Sequence, residues 1–149
     1  MSQYLSTTIS IFRQYKNLGE KFMLPLDMLQ LQWRSDTKSN NISILVKHLH
    51  GNMLSRWTNF LVEDGEKPWR HRDDEFVDTI PDKATLWKLW EEGWACLFQA
   101  LENLTEEHLS EGVFIRSQPL TVMEAIQRQL AHYIYHIGQI VVIAKQVNP

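Results

Sequence analysis

Two histidines near the carboxyl end of the chain, His132 and His136, stand four residues apart. In an α-helix, both side chains of such a pair leave the same face about one turn apart, and together they can bind one metal ion. The pair lies at the margin of the apolar stripe of its helix, where a pocket between helices would open, and it shares this face with Ala125, Gln129 and Ile143. An isolated pair of this kind is more often two hydrogen-bonded residues at a helix edge, so the motif alone does not establish a site.

A third metal ligand would come from another helix, and the candidates are His48 and His50 in the segment KHLHGNM. On a helical wheel His50 lies nearer the apolar stripe, whereas His48 lies on a more polar flank with Asn41, Asn52 and Ser55. Packing therefore slightly favours His50 as the inward residue. The helical wheel does not decide between the two.

Four segments with helical periodicity predict an all-α protein, a four-helix bundle that forms a single domain over residues 1–149. We expect helices from about Tyr4 to Leu24, from the candidate caps Ser39, Asn40 and Asn41 to about Val62, from about Lys83 to Asn103, and from the capping box of Thr121 and Glu124 onward. Leu26 to Trp33 would form a short extra turn, and Glu111 to Pro119 would be extended. The charged segment from Glu63 to Asp82 has no periodicity and predicts a long loop between helices two and three.

Composition and charge exclude several classes of protein. The chain has 149 residues with 44% hydrophobic and 22% charged residues, and it contains no apolar run long enough to span a membrane and no signal-peptide pattern. We therefore expect a cytoplasmic protein. The formal net charge is -3 and the basic residues are scattered along the sequence, so nucleic acid is not an expected partner. The single cysteine, Cys96, lies in an apolar helical pattern and is expected to be a packed thiol, not a nucleophile.

Four segments resemble the DinB-like superfamily, and within it a family of small bacterial proteins of unknown function: SIFRQYKNLGEKF, SILVKHLHGNMLSRWTNFL, DGEKPWRHRDDEF and LAHYIYHIGQI. The resemblance covers the chain almost from end to end. It implies a four-helix bundle with a metal centre made by one histidine of the second helix and the histidine pair of the fourth. The superfamily pattern aligns ILVKHL so that the ligands are His48, His132 and His136, and His50 becomes a neighbour or a partner of a ligand. The segment around Pro25 departs from the usual first helix.

Three neutral imidazoles would leave open positions on the ion, as in catalytic metal centres. Zinc, nickel, iron and manganese all suit such ligands. Asn52 and Gln129 are candidate acceptors for the other ring N–H of a ligand. The resemblance loosely implies a relative of thiol-dependent transferases, acting on a small thiol or small-molecule substrate, and hydrolysis is a close variant.

The alternative is a non-catalytic, stress-related bundle that binds a metal or a small ligand. The resemblance implies a homodimer, and the tryptophans of helix three would lie in the core or at the dimer face. No catalytic base is identified beside the histidines, which favours this alternative. Folding of Asp73, Asp74 or Glu75 over the site would reverse that judgement.

Overall fold

Four long helices make up most of the protein, as the sequence predicts. The computed structural model describes residues 2–149. The helices are α1 (Gln3–Met23), the short α2 (Met28–Leu31), α3 (Ile42–Trp57), α4 (Lys83–Glu102) and α5 (Val122–Val147), and the strands are β1 (Gly112–Ile115) and β2 (Gln118–Thr121). Two 3-10 helices, Arg72–Phe76 and Glu107–Ser110, lie in the connections. Within residues 2–149, no helix is both long enough and apolar enough to cross a membrane.

Each long helix begins at a polar residue whose side-chain oxygen accepts a hydrogen bond from a backbone N–H of the first turn. These residues are Ser2, Asn41, Asp82 and Thr121. Thr121 forms the predicted capping box with Glu124. Because these caps satisfy N–H groups that have no partner within the helix, they define where the helices start.

Buried apolar residues from all four long helices form one core, in which α3 packs against α4 and α1 packs against α5. The ring of Phe12 on α1 lies 6.4 Å from that of Trp94 on α4 and 6.0 Å from that of Tyr133 on α5. Trp90 and Trp94 are 2% and 1% exposed, so these tryptophans belong to the core of the chain. Cys96 is half-buried, and burial raises the pKa of its thiol, which makes it a poor nucleophile at neutral pH.

The second long helix ends at Trp57, so the prediction that it reaches Val62 is wrong. Thr58 is extended and Asn59 has a φ of 49°, a left-handed conformation that asparagine tolerates better than most residues. The apolar Phe60 is nevertheless 8% exposed, because the turn that follows the helix folds it onto the core. The apolar Phe60 continues the helical periodicity of the sequence although it lies in an irregular segment, and this led to the wrong helix end.

The segment from Glu111 to Pro119, predicted as extended, contains β1, a two-residue turn and the first half of β2 of a β-hairpin. Strands β1 and β2 pair antiparallel, with Val113 opposite Leu120 and Ile115 opposite Gln118. The two turn residues, Arg116 and Ser117, have φ angles of 53° and 61°. Positive φ at both positions matches the right-handed twist of the strands and allows a two-residue connection.

Hydrogen bonds connect the loop between α3 and α4 to α3 and to the hairpin turn. The buried Lys67 ammonium donates hydrogen bonds to the carbonyl oxygens of Ser55 and Asp64, each at 2.8 Å. The Asp64 carboxylate accepts hydrogen bonds from the backbone N–H groups of Arg116 and Ser117 at 2.9 and 2.7 Å. The loop is therefore tied to α3 and to the hairpin turn, and its 3-10 helix lies against α3.

Candidate metal centre

Three histidines from two helices converge inside the bundle. His48 lies on α3, and His132 and His136 lie on α5. The Nε2 atom of His132 is 3.3 Å from Nε2 of His48 and 2.9 Å from Nε2 of His136. One ring nitrogen of each lies within 4.8 Å of the others, so the three residues could hold one metal ion.

His50, which packing alone slightly favoured as the inward residue, does not take part in this cluster. Its Nε2 atom lies 3.3 Å from the Glu92 carboxylate on α4. The wheel could not decide between His48 and His50 because α3 is buried on most of its faces, including the polar flank that carries His48, Asn52 and Ser55. A helix surrounded by protein does not have a single inward stripe.

Hydrogen bonds on the far side of two rings determine which ring nitrogen carries hydrogen. Nδ1 of His48 lies 2.9 Å from a carboxylate oxygen of Glu75, and Nδ1 of His136 lies 2.7 Å from the amide oxygen of Gln139. Both oxygens only accept hydrogen bonds, so each Nδ1 must donate. In the neutral imidazoles, Nε2 of His48 and Nε2 of His136 therefore present bare lone pairs to the cluster.

This donor set fits a divalent cation. An N–H on Nε2 of His132 could donate to the lone pair of His48 or to that of His136, but not to both. Hydrogen bonding among the three rings therefore leaves one Nε2 lone pair without a partner. For metal–nitrogen distances of about 2.0–2.1 Å, tetrahedral ligands lie about 3.3 Å apart. The His48–His132 separation has this value, the His132–His136 separation is shorter at 2.9 Å, and all three nitrogens lie within 4.8 Å of one another.

The electrostatics of the cluster also favour neutral imidazoles. Burial lowers the pKa of His132 to about 3, and repulsion from His136 and His48 adds to this effect. Burial also lowers the pKa of His136 to about 4, although the hydrogen bond with Gln139 opposes the shift. At pH 7 both residues are therefore neutral, which is the form that coordinates a metal.

Glu75 is the loop residue that reaches the site, whereas Asp73 and Asp74 are exposed. Its Oε1 accepts hydrogen bonds from His48 and from Nη2 of Arg70 at 2.8 Å, and its Oε2 accepts one from Nε of Arg70 at 2.9 Å. Burial raises the pKa of Glu75, but the hydrogen bonds from Arg70 and His48 outweigh burial and lower it overall. The carboxylate is thus ionised and fully engaged, so it orients His48 and does not act as a free base.

Gly51 makes the space that Glu75 occupies. A Cβ atom at this position would lie 2.6 Å from Cδ of Glu75, closer than such atoms pack. In the sequence, Gly51 only weakens the prediction of a helix, since glycine disfavours helices. The structure explains its presence, because the carboxylate passes directly over α3 at this residue.

Asn52 and Gln129 do not accept hydrogen bonds from the three clustered histidines, so the prediction of that role is wrong. The Asn52 side-chain oxygen accepts from the Tyr133 hydroxyl at 2.8 Å, and this hydroxyl accepts from the Trp57 indole at 3.0 Å. The Gln129 side-chain oxygen is buried and has no hydrogen-bond partner within residues 2–149. Sequence reasoning missed Gln139, although its spacing of three from His136 on one helix places both residues on one face.

A polar cavity of about 280 Å³ adjoins the histidines. It is lined by His48, Asn52, Arg56, Arg70, Arg72, Arg116, Arg128, Gln129 and His132. The arginines are spread over the sequence but meet at this cavity. Small molecules that enter it would contact two of the three histidines.

Comparison with known proteins supports the fold but names no activity. The family described as "Protein of unknown function (DUF1572)" matches residues 1–149. A crystal structure of a conserved protein of locus from Enterococcus faecalis superposes with a TM-score of 0.74 at 14% sequence identity, over 99% of this chain and 98% of that chain. At this identity the likeness shows the fold alone. Comparison with curated proteins gave no match.

Proposed function

This chain belongs to the DUF1572 family of proteins of unknown function, and we propose that it binds one divalent metal ion through His48, His132 and His136. One observation carries the proposal. Glu75 and Gln139 keep the ring hydrogens of His48 and His136 on Nδ1. The Nε2 lone pairs of these two histidines therefore both point at His132, which has one ring hydrogen and cannot donate to both. The resemblance to the DinB-like superfamily, which uses this arrangement of histidines, supports the same assignment.

The ligand set is compatible with zinc, nickel, iron or manganese, since imidazole binds all four. Glu75 would strengthen the centre in the way that carboxylates strengthen many histidine ligands, by fixing the ring and raising its basicity. Gln139 would orient His136 in the same manner with a weaker, neutral acceptor. The protein thus supplies both the ligands and the groups that orient two of them.

We propose further that the centre activates a small thiol for transfer to an electrophile. An ion with three protein ligands keeps an open position, and it lowers the pKa of a thiol or a water molecule that binds there. The cavity next to His48 and His132 gives a small molecule access to this position. Activation of a thiol needs no general base beyond this effect, whereas hydrolysis usually uses a nearby carboxylate, and both oxygens of Glu75 are occupied.

Because both oxygens of Glu75 already accept hydrogen bonds, no free carboxylate base lies beside the histidines, and this also supports a second candidate, a non-catalytic protein that binds a metal or a small ligand. In this case the open position would hold a ligand without converting it. Homodimerisation stays a prediction in both cases. Trp90 and Trp94 lie in the core of the chain, so a dimer would use a different surface from these two rings.

Metal content tests the proposal. We expect about one ion per chain in protein purified without an affinity tag, and a loss of that ion in the variants His48→Ala and His132→Ala. His50→Ala is the matched control, because His50 lies on the same helix but contacts Glu92, and His71→Ala controls for an exposed histidine. Equal metal content in all five proteins, or none in the wild type after metal is supplied, would refute the metal centre.

Activity assays then separate the two candidates. The metal-loaded wild type and His132→Ala are tested for transfer of small thiols to an electrophile and for hydrolysis of esters. Transfer that requires His132 supports the thiol proposal, and hydrolysis that requires it supports the hydrolytic variant. A loaded protein that binds thiols without turnover supports the non-catalytic candidate.

A further inference from the structure

Five arginines from four parts of the chain surround the cavity beside the histidines. Arg56 belongs to α3, Arg70 and Arg72 to the loop, Arg116 to the hairpin turn and Arg128 to α5. None of these segments is strongly basic by itself. Their convergence is therefore a property of the folded protein.

The carboxylates near these arginines neutralise only part of their charge. Glu66 accepts from Arg56 at 2.9 Å, from Arg70 at 3.4 Å and from Arg116 at 3.2 Å, and Glu75 also pairs with Arg70. Arg72 and Arg128 form no salt bridge with any residue between 2 and 149. Five guanidinium groups thus form salt bridges with only two carboxylates, and the positive charges of Arg72 and Arg128 are left without such a partner among residues 2–149.

Two buried polar atoms on cavity-lining residues have no hydrogen-bond partner among the described residues. They are Nε of Arg56, which donates, and the side-chain oxygen of Gln129, which accepts. The residues are 4% and 3% exposed. Unpartnered buried polar atoms are costly, and both atoms lie beneath the surface of the cavity that other atoms of Arg56 and Gln129 line.

The hairpin turn carries Arg116 with a φ of 53°, which is unfavourable for a residue with a long side chain. Two hydrogen bonds from the turn to Asp64 hold this conformation. Positive φ at both turn positions is what a two-residue hairpin requires, so the turn fixes the point from which Arg116 reaches the cavity.

We propose that this cavity binds the anionic group, a carboxylate or a phosphate, of the small molecule on which the metal centre acts. The inference rests on the function proposed above. Guanidinium groups pair with both kinds of oxyanion through two parallel hydrogen bonds. A cavity of about 280 Å³ suits a small organic acid or a small phosphate ester.

The position of the cavity explains how the anionic group would assist the chemistry. His48 and His132 line the same cavity as the arginines, so a molecule anchored by its acid group would place its remaining atoms at the histidines. Binding at the arginines would thus select substrates by charge and orient them before reaction. The excess positive charge would also favour an ionised thiol at the open position.

Binding of two probe anions, inorganic phosphate and succinate, tests this inference by calorimetry at constant ionic strength. Both the metal-free and the zinc-loaded protein are titrated, each as wild type, Arg128→Gln and Arg72→Gln. We expect one of the anions to bind the wild type, and each substitution to weaken it by roughly 10- to 100-fold, the loss of a charged hydrogen bond. The tighter probe identifies the group as carboxylate or phosphate.

The matched control is Arg13→Gln, since Arg13 is exposed, pairs with Glu102 and does not line the cavity. Melting temperature and zinc content are measured for every variant. Equal affinity in the wild type and both cavity variants, with normal zinc content, would overturn the anion site while leaving the metal centre intact. Absence of zinc from the wild type would instead refute the metal centre, and the titrations of metal-free protein would still decide whether the anion site exists.

Discussion

The carboxylate of Glu75 lies 2.9 Å from Nδ1 of His48, a residue 27 positions earlier in the chain. This contact joins the long loop to the histidine cluster that we propose as a metal centre. The ionised Glu75 carboxylate, which also accepts hydrogen bonds from Arg70, thus lies on one side of the His48 ring, and Nε2 of His48 faces His132 on the other side. The loop is thus part of the site, and substitutions in it should change metal binding.

Replacement of Glu75 by glutamine should weaken metal binding by about 10- to 100-fold, as expected when the charged partner of a ligand histidine is lost. The amide keeps nearly the same shape but removes the negative charge that raises the basicity of His48. Dissociation constants from competition with a chelator measure the effect. Asp73→Asn removes a charge from an exposed neighbour and should leave the constant unchanged. Equal affinity in the wild type and Glu75→Gln would show that Glu75 does not support the centre.

Replacement of Gly51 by alanine should also weaken metal binding, because the new Cβ would displace the Glu75 carboxylate. The substitution otherwise favours the helix by roughly 1 kcal/mol, so propensity alone predicts a more stable protein with unchanged affinity. Gly138→Ala on α5 is the control, since beyond its chain neighbours and the nearby backbone of α5 no heavy atom lies within 4 Å of the added Cβ. We expect only the control to combine raised thermal stability with unchanged metal affinity. Normal affinity in Gly51→Ala would contradict the steric explanation.

Replacement of Tyr133 by phenylalanine should lower the free energy of unfolding by roughly 1–3 kcal/mol, because it leaves two buried groups without a partner. These are the Trp57 indole N–H and the Asn52 side-chain oxygen. Chemical denaturation measures the change. Tyr135→Phe removes an exposed hydroxyl and should change stability by less than about 0.5 kcal/mol. A loss of equal size in both variants would argue against the buried hydrogen-bond chain.

The hydrogen bonds that the Asp64 carboxylate accepts from the hairpin turn should be lost at low pH. Burial raises the pKa of Asp64, but hydrogen bonds from the backbone of Glu66, Ser117 and Arg116 outweigh it, and the pKa is lowered overall. Its stabilising contribution is therefore present above the pKa of an unfolded aspartate, about 3.9, and is lost as the pH falls through the lower pKa of the folded state.

Amide chemical shifts and hydrogen exchange of Arg116 and Ser117 report this titration. Both amides should lose protection at a pH below the usual range for aspartate, and Asp64→Asn should weaken their protection at neutral pH. Titration of both amides at the pH of an ordinary, unpaired aspartate would show that the hydrogen bonds do not stabilise the ionised carboxylate.

Much of the fold could be predicted from the sequence because its signals are local. Capping by Asn41 and Thr121 and the apolar periodicity of the long helices depend on neighbouring residues alone. The false extension of α3 to Val62 shows the limit of this approach. Periodicity records which residues are buried, and Phe60 is buried in a turn as it would be in a helix.

The sequence by itself determined the helices and the pair formed by His132 and His136, because four residues make about one helical turn. The tertiary structure decided that His48 joins this pair and that His50 faces Glu92, since α3 is enclosed on most sides. It also brought Glu75 to the site and gathered five arginines at one cavity. The physical reason is that these groups are distant in sequence, and the direction in which each one points depends on how the helices and the loop pack together.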